Sequence, residues 1–180
     1  MPSALLSRLF ILRHAHSSWA LPGQRDHQRP LDERGRLDSR RMGDEMKRLG
    51  FSIERIVCSS AVRAQETLAG IRHALSADMR EETSDDLYAL GPDAYLDAVR
   101  RQEGAASLLL IGHNPMVEEF AGSMAAEGDP AALAVLRSGF PTAGLAVIEL
   151  PGPLSEATPG CGRLAALIHP KGLEPVMDHG

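Results

Sequence analysis

Cysteine, net positive charge and long apolar runs are all scarce in this sequence, and each shortage removes a class of function. Cys58 and Cys161 are the only cysteines and form no CxxC pair, which excludes a disulfide-dense secreted scaffold and argues against a structural zinc site. A reducing cytoplasm is the expected compartment. Against 24 Asp and Glu stand 19 Lys and Arg, a net charge of -5, so no nucleic-acid surface is expected and any affinity for phosphate must come from a local basic cluster. The apolar run Leu9-Phe10-Ile11-Leu12 sits between Arg8 and Arg13, too short for a signal-peptide core. No window reaches the ~20 apolar residues of a spanning helix, and neither export nor membrane insertion is expected. There is no internal repeat and no linker, so one domain over 1–180 is expected, with about 171–180 as a loosely held tail.

What is present is an alternation of strand and helix patterns. Residues 9–12 read as a strand buried on both faces. The polar stretch 14–32, punctuated by Gly and Pro, is a loop long enough to suggest binding. Helical spacing over 33–49 puts Leu37, Met42, Met46 and Leu49 on the inner face, with Gly50 as the stop. A strand over 53–58 precedes a helix capped by Ser60 that runs through Thr67 to about Leu75, and Pro92 opens another carrying Tyr95, Leu96 and Val99. A third buried strand, 107–111, leads into Gly112-His113-Asn114-Pro115, where Asn114 suits a helix cap and Pro115 its first position. Strands at 143–150 and 163–168, joined by a Pro/Gly-rich connection, complete the pattern. The expected fold is an α/β three-layer sandwich, a largely parallel central sheet flanked by helices.

Arg13-His14 and Gly112-His113 both follow the ends of buried strands, where open α/β sheets bind ligands. Arg63 falls in the first turn of a helix, a position at which a cation opposes the macrodipole and which a bound anion would offset. Two imidazoles and two guanidiniums are thus candidates for one anion-binding cleft.

Four ordered fragments carry a resemblance. They are Arg13-His14-Ala15 with His16-Ser17-Ser18-Trp19, Arg29-Pro30-Leu31 before Glu33-Arg34-Gly35, Ser60-Ala61-Val62-Arg63-Ala64-Gln65-Glu66-Thr67, and Ile111-Gly112-His113-Asn114-Pro115. Together they resemble the histidine phosphatase (phosphoglycerate mutase-like) superfamily, and within it the SixA-type phosphohistidine phosphatases. The resemblance implies that His14 is the phosphorylated nucleophile, that Arg13, Arg63 and His113 bind the phosphoryl oxygens, and that Ser17 is a substrate-binding hydroxyl. No cofactor and no metal are expected, and the expected enzyme is a monomer or weak homo-oligomer acting on a phosphorylated protein or small phosphorylated metabolite. Imidazole chemistry agrees, because a neutral ring attacks phosphorus without a separate base. Ala15 departs from the glycine usual at its position. No segment matches the acid motif of the superfamily's ester phosphatases, and Asp86, with Asp85 behind it, is the candidate proton donor. A weak acid favours a labile P–N bond over a P–O ester.

Other readings remain open at this level. His14 and His16, with His113 or His27, could hold a metal. Arg63 could pair with Glu66 at the surface and His113 could be a core histidine. Trp19 is either a lid contact or a plug on the core, and His16 and His27 are either substrate contacts or solvated loop residues. A phosphoglycerate mutase-like phosphotransferase and a catalytically silent phosphate-binding module are the competing functions.

Overall fold

A computed structural model describes residues 6–173. Seven strands form one sheet: β1 Ser7–Arg13, β2 Arg55–Ser59, β3 Arg80–Ser84, β4 Ser107–Gly112, β5 Ala125–Gly128, β6 Leu145–Leu150 and β7 Gly162–Ile168. Their order is β3-β2-β4-β1-β6-β7-β5. The first four in that order are parallel neighbours, β6 runs antiparallel to both β1 and β7, and β5 is parallel to β7. The sheet is therefore largely parallel, with the antiparallel turn made by the connection from β6 to β7.

Period-two alternation in the central strands builds a core on each face. Leu9 and Ile11 of β1, with Leu108 and Leu110 of β4, point to one side. Phe10, Leu12, Leu109 and Ile111 point to the other. On the first side they meet α3 Asp86–Ala89, α4 Pro92–Arg100, α5 Met116–Met124 and α6 Pro130–Ser138. On the second they meet α1 Glu33–Arg48 and α2 Val62–Ile71. This is the three-layer α/β arrangement of helices on both faces of a sheet. Among the described residues no helix is long and apolar enough to cross a membrane.

Several local expectations are corrected. Leu37 of α1 and Leu49, its C-cap, lie outward, 47% and 41% exposed, while Met42 and Met46 are buried as expected. The helix approaches its neighbours through small residues instead. A Cβ on Gly35 would stand 2.0 Å from the His16 carbonyl oxygen, one on Gly43 would be 2.5 Å from the His73 ring, and one on Gly70 of α2 would be 2.1 Å from Ser39 Oγ. Close backbone contact selects the inner face here, and two leucines are left outside.

Ser60 does not cap α2, which starts at Val62 after Ala61; its hydroxyl bonds His27 Nε2 at 2.9 Å. Asn114 does not cap α5, whose cap is Pro115; its amide donates to Glu118 Oε2 and to the Phe140 carbonyl, both at 3.3 Å. β3 and β5 are the sheet's outer strands, and neither the polar, exposed run of β3 nor the short Ala-Ala-Glu-Gly of β5 carries a periodic signal of the kind seen at the centre. At the far end Pro170–Gly172 makes one 3-10 turn, with His169 Nδ1 accepting the Lys171 N–H at 3.0 Å. The rest of the expected tail, 174–180, lies outside the described residues.

The register of β1 on β4 sets Arg13 opposite Gly112, so the residues that follow, His14 and His113, leave the sheet side by side. Tyr95 of α4 braces this end, since its hydroxyl accepts the His113 N–H and donates to the Leu87 carbonyl, each at 3.1 Å. That contact requires glycine at 112, where a Cβ would sit 2.1 Å from the Tyr95 oxygen. Gly112→Ala is expected to destabilise the fold by roughly 1–3 kcal/mol through overpacking, read as a lower urea midpoint; an unchanged midpoint would show that Tyr95 yields freely.

Candidate active site

His14 is held by its backbone on both sides. Its N–H donates to the Gly112 carbonyl at 3.0 Å, and its own carbonyl accepts the Ala143 N–H at 3.2 Å. The ring is held too, with Nδ1 2.7 Å from the Ala15 carbonyl oxygen. A carbonyl only accepts, so the proton is on Nδ1 and the lone pair is on Nε2. The Ala15 methyl is buried with Leu31 and Ala143. Its N–H donates to Thr67 Oγ1 at 3.0 Å, and that hydroxyl donates to the Arg63 carbonyl at 2.7 Å. Thr67 thereby ties the histidine loop to the helix that carries Arg63.

The His113 ring lies 5.1 Å from that of His14, centroid to centroid. Its Nε2 is 2.7 Å from Ser59 Oγ, which also accepts the Ala61 N–H at 3.3 Å. With that lone pair taken, the Ser59 proton is best placed on His113 Nε2, and the ring's own proton on Nδ1. Nδ1 is buried and without a partner, a donor waiting for an acceptor.

Three arginines complete the cluster. Arg13 donates Nη1 to the Phe140 carbonyl at 2.6 Å. Arg63, 6% exposed, donates Nη1 and Nη2 to the carbonyl and the Oδ2 of Asp26 at 2.8 and 3.0 Å. The Nε atoms of Arg13 and Arg63 are buried and unpaired. Arg29 grips Asp26 Oδ1 through Nε and Nη2 at 3.2 and 3.0 Å, while its Nη1 reaches Ser17 Oγ at 2.8 Å and the Ser18 carbonyl at 3.0 Å. Tyr88 adds a hydroxyl to Asp26 Oδ2 at 3.0 Å.

These groups surround an open cavity of about 470 Å³, walled by Arg13, Arg29, Arg63, His14, His16 and His113, with Ser17, Trp19, Asn114 and Thr142 completing the lining. The structure therefore brings together His14, Arg13, Arg63, His113 and Ser17, although the Ser17 hydroxyl is already engaged by Arg29. It does not bring Asp86 there. That residue is exposed at the start of α3, where Leu87 takes the inward position. Among the described residues no carboxylate lines the cavity. Asp26 pairs with Arg29 and Arg63 from their more exposed side and is an acceptor, not an acid: partial burial works against its charge, but Tyr88, Arg63 and Arg29 outweigh that and hold it below the ordinary carboxylate range.

Trp19 is no plug, being 92% exposed at the cavity mouth. His27 is structural, bonded to Ser60 with its ring edge-on to Tyr88 at 4.8 Å. The three-histidine metal arrangement does not form. His16 gives its Nδ1 to Asp32, and among the described residues no group of three His, Cys, Asp or Glu side chains converges to hold an ion. Arg29, Ser59 and Thr142 are site neighbours to which the sequence assigned no role, and Asn114, expected only as a helix cap, is another. For Arg29 the Arg-Pro-Leu segment was the available signal.

Burial dominates the electrostatics of both rings. Desolvation pushes His14 down to about 4; the Ala15 carbonyl opposes this, and Arg63, Arg13 and Arg29 add to it. His113 is pushed down to about 3 by desolvation, then by His14 and Arg63, with Asp26 opposing. Both imidazoles are neutral at pH 7. A neutral imidazole beside unpaired guanidinium and imidazole N–H donors suits a tetrahedral dianion.

A family model described as the histidine phosphatase superfamily (branch 1) matches residues 9–87. The phosphohistidine phosphatase SixA of Escherichia coli is 35% identical over 114 residues, covering 61% of this chain and 69% of that protein. Among solved structures, a SixA-type protein from Agrobacterium tumefaciens superposes with a TM-score of 0.78 at 29% identity, covering 91% of this chain and 97% of that one. A protein histidine phosphatase SixA complexed with tungstate gives 0.74 at 25% identity, covering 93% and 99%.

Two measurements check the site. In nitrogen-edited NMR spectra, His14 and His113 are expected to stay neutral Nδ1–H tautomers between about pH 5 and pH 8; a midpoint near 6.5 in either ring would contradict this. Because their folded values lie below the unfolded ~6.5, the unfolded chain takes up more protons in acid, and both rings should withdraw stability as pH falls from ~6.5 toward the folded values. Ser59→Ala is expected to move the His113 proton partly to Nε2 in the same spectra, and Ser59→Thr to restore it.

Proposed function

Since the chain belongs to the histidine phosphatase superfamily, we propose that it is a metal-independent, SixA-type phosphatase in which His14 attacks phosphorus and carries the phosphoryl group as a covalent intermediate. Protein phosphohistidine is the substrate class this reading favours. A single-domain cytoplasmic enzyme, monomeric or weakly associated, is part of the same proposal.

The supporting observation is the cavity itself: a neutral imidazole with its Nε2 free, three guanidiniums around it, and no carboxylate on the wall. In the first step His14 Nε2 forms the bond to phosphorus as the bond to the leaving group breaks. In the second, water attacks the phosphohistidine and His14 leaves. Charge on the equatorial oxygens meets Arg13 and Arg63 through their unpaired Nε–H groups, and His113 through Nδ1–H. Catalysis on this account is chiefly electrostatic positioning. Tungstate, bound by one relative, is a tetrahedral oxyanion of the kind this donor set suits.

Leaving-group chemistry separates the substrates. An alkoxide leaves poorly unless an acid stands beside it, whereas the imidazole of phosphohistidine is a weaker base and leaves with less assistance. Whatever proton source the site supplies, the less basic imidazole departs more readily than an alkoxide, and a phosphohistidine peptide is expected to be hydrolysed well ahead of a panel of alkyl phosphates. Equal rates across that panel would remove the preference for phosphohistidine.

His14→Ala is expected to abolish turnover and the acid-labile phosphoenzyme while leaving phosphate binding largely intact; near-normal activity in this variant would sink the mechanism. Arg63→Ala forfeits a charge-assisted contact of roughly 1.5–3 kcal/mol, more than tenfold in kcat/KM.

A further inference from the structure

Hydrolysis through His14 moves a proton twice: one must reach the departing atom, and one must leave the attacking water. His14 is the nucleophile on this reading. His113 has one nitrogen on Ser59 and the other set for the anion. Ser17 is engaged by Arg29. Asp26 is held as an anion by Tyr88, Arg63 and Arg29, and Asp86 lies away from the cavity. His16 is the remaining imidazole on the wall.

Its setting is built. Asp32, the N-cap of α1, divides its two carboxylate oxygens: Oδ1 accepts the Gly35 N–H at 2.8 Å, and Oδ2 hydrogen-bonds His16 Nδ1. The Asp32 N–H returns to the His16 carbonyl at 3.2 Å, and Gly35 is pressed on that same carbonyl, with no room for a Cβ. Both the backbone and the ring of His16 are thus fixed by the first turn of one helix. Although desolvation works against its charge, Asp32 is held below the ordinary carboxylate range by the Gly35 N–H and by His16. An ionised carboxylate accepts, so the Nδ1 proton stays in that bond and Nε2 is the nitrogen free to exchange. An imidazole whose far nitrogen is anchored by a carboxylate is the standard geometry of a proton-transfer residue.

We propose that His16, oriented by Asp32, is the general acid and then the general base of this site. The inference rests on His14 being the nucleophile. In the first step the His14 Nε2–P bond forms and the bond from phosphorus to the leaving atom breaks, and the departing atom takes the proton from His16 Nε2. In the second step water oxygen bonds phosphorus, the P–Nε2 bond of His14 breaks, and the water proton passes to His16 Nε2. One phosphate ester or phosphoramidate and one water become one free leaving group and one inorganic phosphate, and His16 ends protonated as it began. Asp32 is a positioning residue in both steps.

The test is the dependence of kcat/KM on the leaving group, measured with the full chain on phenyl phosphate and on dinitrophenyl phosphate, whose phenolate departs without a proton. His16→Gln is expected to slow phenyl phosphate by about 10²–10³-fold and dinitrophenyl phosphate far less. In His16→Ala, added imidazole should restore phenyl phosphate turnover. Asp32→Asn, which keeps a good helix cap, should slow the same ester with little change in thermal midpoint. Equal losses on the two esters in His16→Gln, or no imidazole rescue in a folded His16→Ala protein, would overturn the role of His16. Failure of the wild-type enzyme to form an acid-labile phosphoenzyme at His14 would instead overturn the nucleophile on which that role rests.

Discussion

Leu12 of β1 lies across from Ile111 of β4, and Arg13 across from Gly112, in a parallel ladder that ends with both strands at the same edge of the sheet. Two histidines about a hundred positions apart in the chain emerge there as neighbours. A slip of one residue in this pairing would turn the side chains of either strand to the opposite core and carry one ring away from the other. The register is held by the two cores themselves, because each strand alternates between them with fully buried residues. Hydrophobic packing in the middle of the sheet therefore determines the spacing of polar groups at its rim.

Around that rim the segments are linked by polar groups that each serve two partners. Thr67 joins the histidine loop to the backbone of Arg63, Tyr95 joins α3 to the His113 amide, and Asp32 joins the cap of α1 to the His16 ring. A buried polar atom with two good partners is rigid, and one left with none is costly. The unpaired atoms Arg13 Nε, Arg63 Nε, His113 Nδ1 and Asn114 Oδ1 are therefore informative: beside one acceptor, the same small region that satisfies its bridging groups leaves three donors unsatisfied. A tetrahedral anion is the group that would complete them.

The parts that could be read from sequence are those where local chemistry and tertiary environment agree. β1 and β4 are continuous apolar runs because both of their faces are buried, and the Arg-His and Gly-His pairs follow directly on their ends. Arg63 stood out through its unfavourable place in a helix's first turn. What could not be read depends on contacts between segments. The inner face of α1 is set by Gly35, Gly43 and the serine facing Gly70, and a count of leucines points elsewhere. β3, with Arg80, Glu81 and Glu82 exposed at the sheet's edge, has no strand pattern to detect. Asp86 has the chemistry of an acid but sits on the solvent side of its helix. Arg29 and Ser59 act by reaching other residues, a property that belongs to the folded chain alone.

Asp26 already occupies the outer edges of Arg29 and Arg63 and is steadied by Tyr88. It functions as a tethered counter-ion. Without it, two guanidiniums facing one cavity would repel each other and would trap whatever free phosphate the surroundings supplied. With it, the arginines stand at a fixed separation and part of their charge is spoken for before any ligand arrives. Inorganic phosphate meets a site whose attraction is tempered, and a group delivered on a larger substrate has the rest of that molecule to draw on. A product anion in such a pocket would be held less tightly than by three guanidiniums with no carboxylate partner.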